Sequence, residues 1–348
     1  MTVKLVSTKL AFNIDLSLYL KKLKFLIDKV QFNDLVFEYL KFGKGEKFII
    51  SFHGFGMHAS DFRVFEETLG SEYTFISINH FHHGNSYFPL KRLKRKPFKR
   101  SELKNLIDLI LEKHNIDKFS IAGFSLGGRL ALCTFELFPT RVEKLYLFAP
   151  DGVNSNTLYQ IVSRTILGQQ VYKFLIDRPN LMIGIVGFLK SIRVFNERFY
   201  NFILFHIDTD DKRKLLYNIW MTYRLMHPIK RKFLTYIKKY DVKLNLFLGK
   251  HDMIVPPQVG KDLSKRLKGI MKLHIIFSGH NILSSKTNRY LAKNIYKIDL
   301  SKVKKNSVTD ETVKKPEPEG KEIQLKPARR ISIKKVSFEN NFLKSKKA

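Results

Sequence analysis

The chain is 348 residues long and 44% hydrophobic, with 30 Phe and 14 Tyr, enough to bury one large core or one core with a smaller covering unit. No run of about eighteen uninterrupted apolar residues occurs, which excludes a predicted membrane-spanning helix, and a single cysteine, Cys133, excludes an intrachain disulfide and a cysteine-based metal site. Sixty-three Lys and Arg against 31 Asp and Glu give a formal net charge of +32, a field that attracts anionic membrane, nucleic acid or acidic substrates without choosing among them.

Residues 3–14 alternate apolar and polar side chains and read as a strand; they lack the apolar centre of a secretory signal, so the protein is expected to stay in the cytoplasm. Asp15 is placed to cap a helix over 15–30, with Leu16, Leu20, Leu23, Ile27 and Val30 on one face and lysines elsewhere. This basic amphipathic helix falls in an N-terminal extension, 1–32, and is expected to pack on the body of the protein; a membrane surface is the other place such a stripe can lie. From residue 33 strands and helices alternate: strands over 35–40, 48–52 and 73–78, a helix over 102–113 capped by Ser101, a strand over 118–122, a helix from 130, and a strand over 144–148. Parallel strands need crossover helices, so the pattern implies an α/β fold, a mostly parallel sheet covered on both faces. It breaks between 154 and 239, where helices over 158–176, 183–205 and 211–226 follow one another, rich in Phe, Tyr, Leu and Ile. Strands resume at 244–248 and 273–277, and a helix over 285–296 ends the segment 240–298. In 299–348 Lys, Ser, Val and Glu dominate around a Pro-Glu-Pro-Glu-Gly stretch, and a disordered basic tail is expected.

The stretch with chemical content is Gly123-Phe124-Ser125-Leu126-Gly127, between a buried strand and an apolar helix. A sharp strand-to-helix turn there strains the backbone of Ser125, exposes its hydroxyl, and sets the Leu126 N–H at the positive end of a helix dipole. A serine needs a base to take its proton. His280, in Phe277-Ser278-Gly279-His280-Asn281 just past the last predicted strand, is the candidate; Asp252, just past the strand before it, is the candidate for orienting that base. Asp151 is the rival acid. His274, inside a strand, reads as packing or surface, and Cys133 as a small core residue.

These features resemble the α/β-hydrolase superfamily. Gly123-x-Ser125-x-Gly127 resembles its nucleophile elbow, Gly249-Lys250-His251-Asp252 followed by Val255-Pro256-Pro257 its acid loop, and Gly279-His280 its base loop, in the chain order serine, acid, histidine. The helical stretch 154–239 looks like the cap of many members, set between core segments 33–153 and 240–298. Ser51-Phe52-His53-Gly54-Phe55-Gly56-Met57 resembles the His-Gly oxyanion loop, which implies that the Phe55 N–H joins the Leu126 N–H in holding an oxyanion, with His53 shaping the loop. Asn79-His80-Phe81-His82-His83-Gly84-Asn85-Ser86 resembles the family's Asp-x-x-Gly-His-Gly-x-Ser segment, with Asn79 in place of the acid and His82 in place of the first glycine. Polar support under the site is the expected role of these histidines, a metal centre being the reading set against it.

The resemblance implies a serine hydrolase using Ser125, Asp252 and His280, and a reaction that requires neither cofactor nor metal. The expected substrate is a carboxylic ester with an apolar acyl group, small or lipid, in the manner of an esterase, lipase or lysophospholipase; thioester and carbon–carbon bond hydrolysis use the same three residues. Phe188, Phe195, Phe199, Phe202, Phe205, Trp220 and Tyr223 are numerous enough to line an acyl pocket, and equally what a helical subdomain needs for its own core. The cluster 91–100, with seven Lys or Arg, reads as a solvated loop or as a positive rim at the pocket mouth. Basic segments of this kind suit peripheral contact with anionic membrane. Nucleic acid is not an expected partner, because no recognised binding motif accompanies the charge. A non-catalytic protein on a hydrolase scaffold is the alternative of a different class.

Overall fold

The computed structural model describes residues 27–153, 157–194 and 197–298. The strand expected over 3–14, most of the helix expected over 15–30 and the tail 299–348 lie outside the described residues. Eight strands form one sheet: β1 (Ile27–Phe32), β2 (Leu35–Gly43), β3 (Lys47–Phe52), β4 (Tyr73–Ile78), β5 (Phe119–Phe124), β6 (Val142–Phe148), β7 (Lys243–Gly249) and β8 (Met271–Ile276). Their spatial order is β1-β2-β4-β3-β5-β6-β7-β8. β2 runs antiparallel to both β1 and β4; the remaining neighbours are parallel.

Every residue of β4 and β5 is buried, the signature of strands covered on both faces. The covering helices are α1 (Arg100–Lys113) and α2 (Leu126–Leu137), then six helices between β6 and β7, and finally α9 (Pro257–Arg266) and α10 (Ser285–Leu291). The six are α3 (Thr157–Arg164), α4 (Ile166–Ile176), α5 (Pro179–Ser191), α6 (Glu197–Ile207), α7 (Asp210–Tyr223) and α8 (Lys230–Lys239). A line of stacked rings runs through the core from Phe65 to Phe148 to Phe247 to His274, with centroids 5.0, 4.7 and 4.6 Å apart. His274 is therefore a packing residue. Cys133 is fully buried on α2, and burial pushes its thiol up to about 12.

Several predicted boundaries move. Residues 27–30, expected in a helix, belong to β1, which pairs along its whole length with β2; the sheet therefore takes in part of the segment expected as an N-terminal extension. Ile27 and Val30 fit the helical period and fall on opposite faces of the strand, Ile27 exposed and Val30 buried, so the backbone partners offered by β2 decide. α1 is capped at Lys99, whose N–H donates to Glu102 Oε2 at 2.8 Å, rather than at Ser101. The helix expected over 158–176 is two helices, because the Thr165 hydroxyl accepts the Gly168 N–H at 3.0 Å and starts a new one. Pro256 and Pro257 of the expected acid loop mark the start of α9, with Pro257 at the first helical position, where a missing N–H costs nothing.

Candidate active site

Strand order reverses at β3, since β4 lies on one side of it and β5 on the other. In parallel sheets a crevice opens beyond the carboxyl ends of the strands at such a point. Phe52 at the end of β3 is in register with Gly123 near the end of β5, so the loop after β3 and the turn after β5 face each other across that crevice.

Ser125 forms the turn. Its backbone stands at φ 49° and ψ −117°, which a residue with a Cβ rarely adopts. Three backbone hydrogen bonds hold it: its N–H donates to Phe148 O at 3.0 Å, and its carbonyl accepts the N–H groups of Gly128 and Asp151, each at 2.8 Å. The flanks must lack a Cβ. One on Gly127 would stand 1.9 Å from Phe52 O, and one on Gly123 2.6 Å from Gly127 O.

His280 follows β8 and Asp252 follows β7, adjacent strands pointing the same way as β5. His280 Nε2 lies 2.9 Å from Ser125 Oγ, and its Nδ1 lies 2.8 Å from Asp252 Oδ2. The Asp252 carboxylate is wholly buried, and its other oxygen, Oδ1, accepts the N–H groups of Ile254 and Val255 at 2.8 and 2.9 Å. An acceptor fixed in this way calls for the proton on Nδ1 of His280, which leaves a lone pair on Nε2 directed at the serine hydroxyl. Asp151 stands apart from this chain of contacts. Its carboxylate pairs with the Arg129 guanidinium, which lies 4.1 Å from the centre of the Tyr159 ring. Burial works against the Arg129 charge, and the Asp151 carboxylate outweighs it, so its pKa is raised.

Leu126 opens α2, where the first amides have no acceptor within the helix. Across from it, the loop 53–57 is held by histidines. His53 Nδ1–H donates to Gly54 O at 2.7 Å and its Nε2 accepts the His80 N–H at 3.0 Å; His80 Nε2–H donates back to His53 O at 2.5 Å. His83 Nδ1–H donates to Phe81 O at 3.2 Å, and its Nε2 accepts the Gly56 N–H at 3.1 Å. These roles require neutral rings. Burial supplies the condition, holding His53 well below its ordinary pKa and lowering His80 to about 3 and His83 to about 4. Five of the six ring nitrogens of His53, His80 and His83 serve backbone groups, and among the described residues no three His, Cys, Asp or Glu side chains are grouped to hold a metal ion.

Sequence reasoning missed the carboxylate behind this loop. Glu38 on β2 is buried and accepts Asn79 Nδ2–H at 2.7 Å and the Asn85 N–H at 3.0 Å. Only the antiparallel β2–β4 pairing brings it there, so nothing local in the chain marks it. His82 has φ 68°, the left-handed region where the resemblance places a glycine, and its Nε2 shares a 2.8 Å hydrogen bond with Thr222 Oγ1 on α7. The cluster 91–100 is neither uniformly solvated nor a uniform rim. Arg92 pairs with Asp34 and Glu102 at 2.7 and 2.6 Å, Arg100 pairs with Glu136 at 2.7 Å, and Phe98 is core, while Lys91, Lys94, Arg95, Lys96 and Lys99 face water. Of the aromatics considered for an acyl pocket, Trp220 and Tyr223 pack inside: Trp220 lies against Tyr159 and Tyr172, and the Tyr223 hydroxyl accepts the Phe81 N–H at 2.8 Å. Phe188 and Phe205 are exposed; Phe195 and the side chains of Phe199 and Phe202 lie outside the described residues.

Residues 47–287 match the family described as alpha/beta hydrolase fold, and the chain belongs to that family. A 105-residue segment is 35% identical to "Putative esterase/lipase 3" of Mycoplasma pneumoniae, covering 29% of this chain and 36% of that protein, so the match spans about a third of the relative's length. Among solved structures, a "probable hydrolytic enzyme" from Pseudomonas aeruginosa PAO1 superposes with a TM-score of 0.56 at 17% identity, over 78% of this chain and 94% of that one. A thermophilic esterase from Thermogutta terrifontis does so with a TM-score of 0.52 at 14% identity, over 78% of this chain and 98% of that one. Identities this low speak for the fold alone.

Proposed function

We propose that the protein hydrolyses carboxylic esters through an acyl-enzyme on Ser125. The observation that carries this reading is the unbroken contact from Ser125 Oγ through His280 to an Asp252 fixed by two amides. In the first half-reaction Ser125 Oγ attacks the ester carbonyl while His280 Nε2 takes the hydroxyl proton. The tetrahedral oxyanion is held by the Phe55 and Leu126 N–H groups. As the carbonyl re-forms, the carbon–oxygen bond to the alcohol breaks, and His280 returns the proton to the leaving alkoxide. A water molecule then attacks the acyl group, His280 takes its proton and passes it to Ser125 Oγ, and the acid departs. Asp252 keeps Nδ1 protonated throughout and stabilises the imidazolium.

Ester chemistry is supported by the esterase/lipase name of the Mycoplasma relative. An apolar acyl group is supported by the part-exposed Leu126 next to the serine and by the part-exposed Phe55 and Met57 of the loop after β3. We take the helical insertion as a cap over the site, because the His206 ring on α6 lies 5.2 Å from the Phe55 ring of the loop opposite the elbow. A fluorophosphonate probe should label the protein but not Ser125→Ala, and p-nitrophenyl esters of rising chain length should be turned over with a preference for the longer acyl chains. Folded protein that resists the probe and turns over no ester would overturn the assignment.

A further inference from the structure

Away from the site, exposed apolar surface gathers on the helical insertion. Nineteen large hydrophobic side chains are exposed among the described residues, and eleven of them lie between 161 and 205. On α4, Leu167, Val171 and Phe174 recur at i, i+4 and i+7 and all face solvent; on α5, Leu181, Ile185 and Phe188 do so at i, i+4 and i+7, followed by Ile192 at the helix's C-cap. Each helix already has an inner apolar face, made by Tyr172 and Ile176 on α4 and by Met182 and Val186 on α5. The outer stripes are thus a second apolar face, on helices whose outer side a water-facing protein would make polar. Gly184 sits within the α5 stripe, and a Cβ on it or on Gly187 would touch nothing among the described residues, so these glycines serve no close packing there. Exposed apolar stripes on two helices that touch each other are the kind of surface that marks an interaction site.

Charge selects the partner. From 157 to 197 the chain carries five cations, Arg164, Lys173, Arg178, Lys190 and Arg193, and two acids, a difference of +3; Asp177 pairs with Lys173 and Glu197 with Lys190, which leaves Arg164, Arg178 and Arg193 without an acidic partner among the described residues. The Arg178 guanidinium lies 3.9 Å from the centre of the exposed Phe174 ring, so cation and apolar surface are interleaved. A second copy docking through the same face would oppose two such basic segments within chains of net charge +32. An anionic bilayer satisfies both features, its phosphate-bearing headgroups meeting the cations and its acyl boundary receiving the Leu, Ile and Phe side chains. We propose that the outer face of α4 and α5 docks on an anionic lipid surface. The contact is peripheral, since no helix among the described residues is long and apolar enough to cross a membrane. It goes beyond the reaction proposed at Ser125 and does not depend on it.

The test is co-sedimentation of the full chain with vesicles of mixed phosphatidylglycerol and phosphatidylcholine, and with vesicles of phosphatidylcholine alone. The wild type and Ser125→Ala should bind the anionic vesicles equally, more weakly at about 0.5 M salt, and the neutral vesicles far less. The double variant Ile185→Asp with Phe188→Asp should keep its thermal unfolding midpoint, because both side chains are exposed, and lose at least about tenfold in vesicle affinity. Absence of wild-type binding, equal binding to neutral vesicles, or a double variant that binds as tightly as the wild type would overturn the proposal. So would a concentration-dependent dimer that the double variant dissolves, because it would assign the face to a second copy. Because Ser125→Ala removes any ester turnover and should leave binding intact, a failure of the enzymatic reading and a failure of this one are separable.

Discussion

Replacing Asp252 with Asn tests the chemistry with almost no change of shape. Asp252 Oδ1 accepts two backbone N–H groups at 2.8 and 2.9 Å, and only an oxygen can fill that position. The new amide must therefore keep its oxygen there and turn its NH₂ toward His280 Nδ1, now 2.8 Å from a carboxylate oxygen. An NH₂ group donates, so Nδ1 must accept, and the ring proton moves to Nε2. There it points at Ser125 Oγ, 2.9 Å away, and the base can no longer take the hydroxyl proton. A wrong tautomer of this kind costs about 10⁴ in kcat, or about 5.5 kcal/mol of barrier. The assay is kcat on a p-nitrophenyl ester together with the rate of fluorophosphonate labelling, with a thermal scan to show that the fold persists. Asp151→Asn is the control, because Asp151 is committed to Arg129. Turnover by Asp252→Asn within about tenfold of the wild type, or a larger loss in Asp151→Asn, would refute the reasoning.

Ser125→Gly should abolish labelling yet raise the unfolding midpoint by a few degrees, because glycine relieves the cost of φ 49°, about 1–3 kcal/mol; a lower midpoint would show that the turn is unstrained. Gly127→Ala would put a Cβ 1.9 Å from Phe52 O and is expected to cost more than about 4 kcal/mol, read as loss of soluble protein or a collapse of the unfolding midpoint. Acid should destabilise the fold through its histidines. An imidazole in the unfolded chain titrates near 6.5, whereas His83 titrates at about 4 and His80 at about 3 in the folded protein. Between those values the unfolded chain holds more protons, so stability is full above about pH 6.5 and falls as pH drops, each ring contributing up to about 1.4 kcal/mol per pH unit. Urea unfolding of His83→Gln between pH 7 and pH 4.5 should show a slope shallower by about one proton; an unchanged slope would remove His83 from the account.

The elbow could be read from the chain because its requirement is local: two glycines and a serine, at a spacing dictated by collisions with the adjoining strand and helix. The placement of Asp252 and His280 beside Ser125 was readable for a related reason, since each follows directly on a strand, and parallel strands deliver such loops to one edge. Elements decided by distant partners were not. Apolar residues at 27 and 30 continue the stripe of 16, 20 and 23 as a helix, whereas in the strand they stand on opposite faces, Val30 buried and Ile27 exposed, and pairing with β2 settles the matter. The helix Lys230–Lys239 buries only Phe233 and Ile237, too thin a pattern to stand out against five Lys or Arg. Phe188 shows the same limit from the other side: an apolar helical stripe does not say whether it faces a core, a pocket or the outside.

The two departures from the family pattern in the loop 79–86 have a common physical account. With Asn79 in place of an acid, the carboxylate is supplied from β2: Glu38 accepts the Asn79 amide, the Asn79 oxygen accepts the Ala59 N–H at 2.8 Å, and Ser86 Oγ accepts the Glu38 N–H at 2.9 Å while donating to Asn79 O at 2.7 Å. The negative charge has moved to another strand, and the network it organises is closed there. With His82 in place of glycine, the left-handed backbone is opposed by a contact that glycine could not make, the hydrogen bond to Thr222 on α7. The next residue, His83, holds Gly56 in the loop facing the elbow, and the Phe81 N–H is held by Tyr223 on α7. Three consecutive residues thus tie the helical insertion to the loop that carries Phe55, and the buried Glu38 anchors the segment they belong to through Asn79, Asn85 and Ser86. Removing the Thr222 contact would leave His82 in a strained conformation with nothing to offset it, and the strain would be released one residue from the imidazole that sets the position of Gly56.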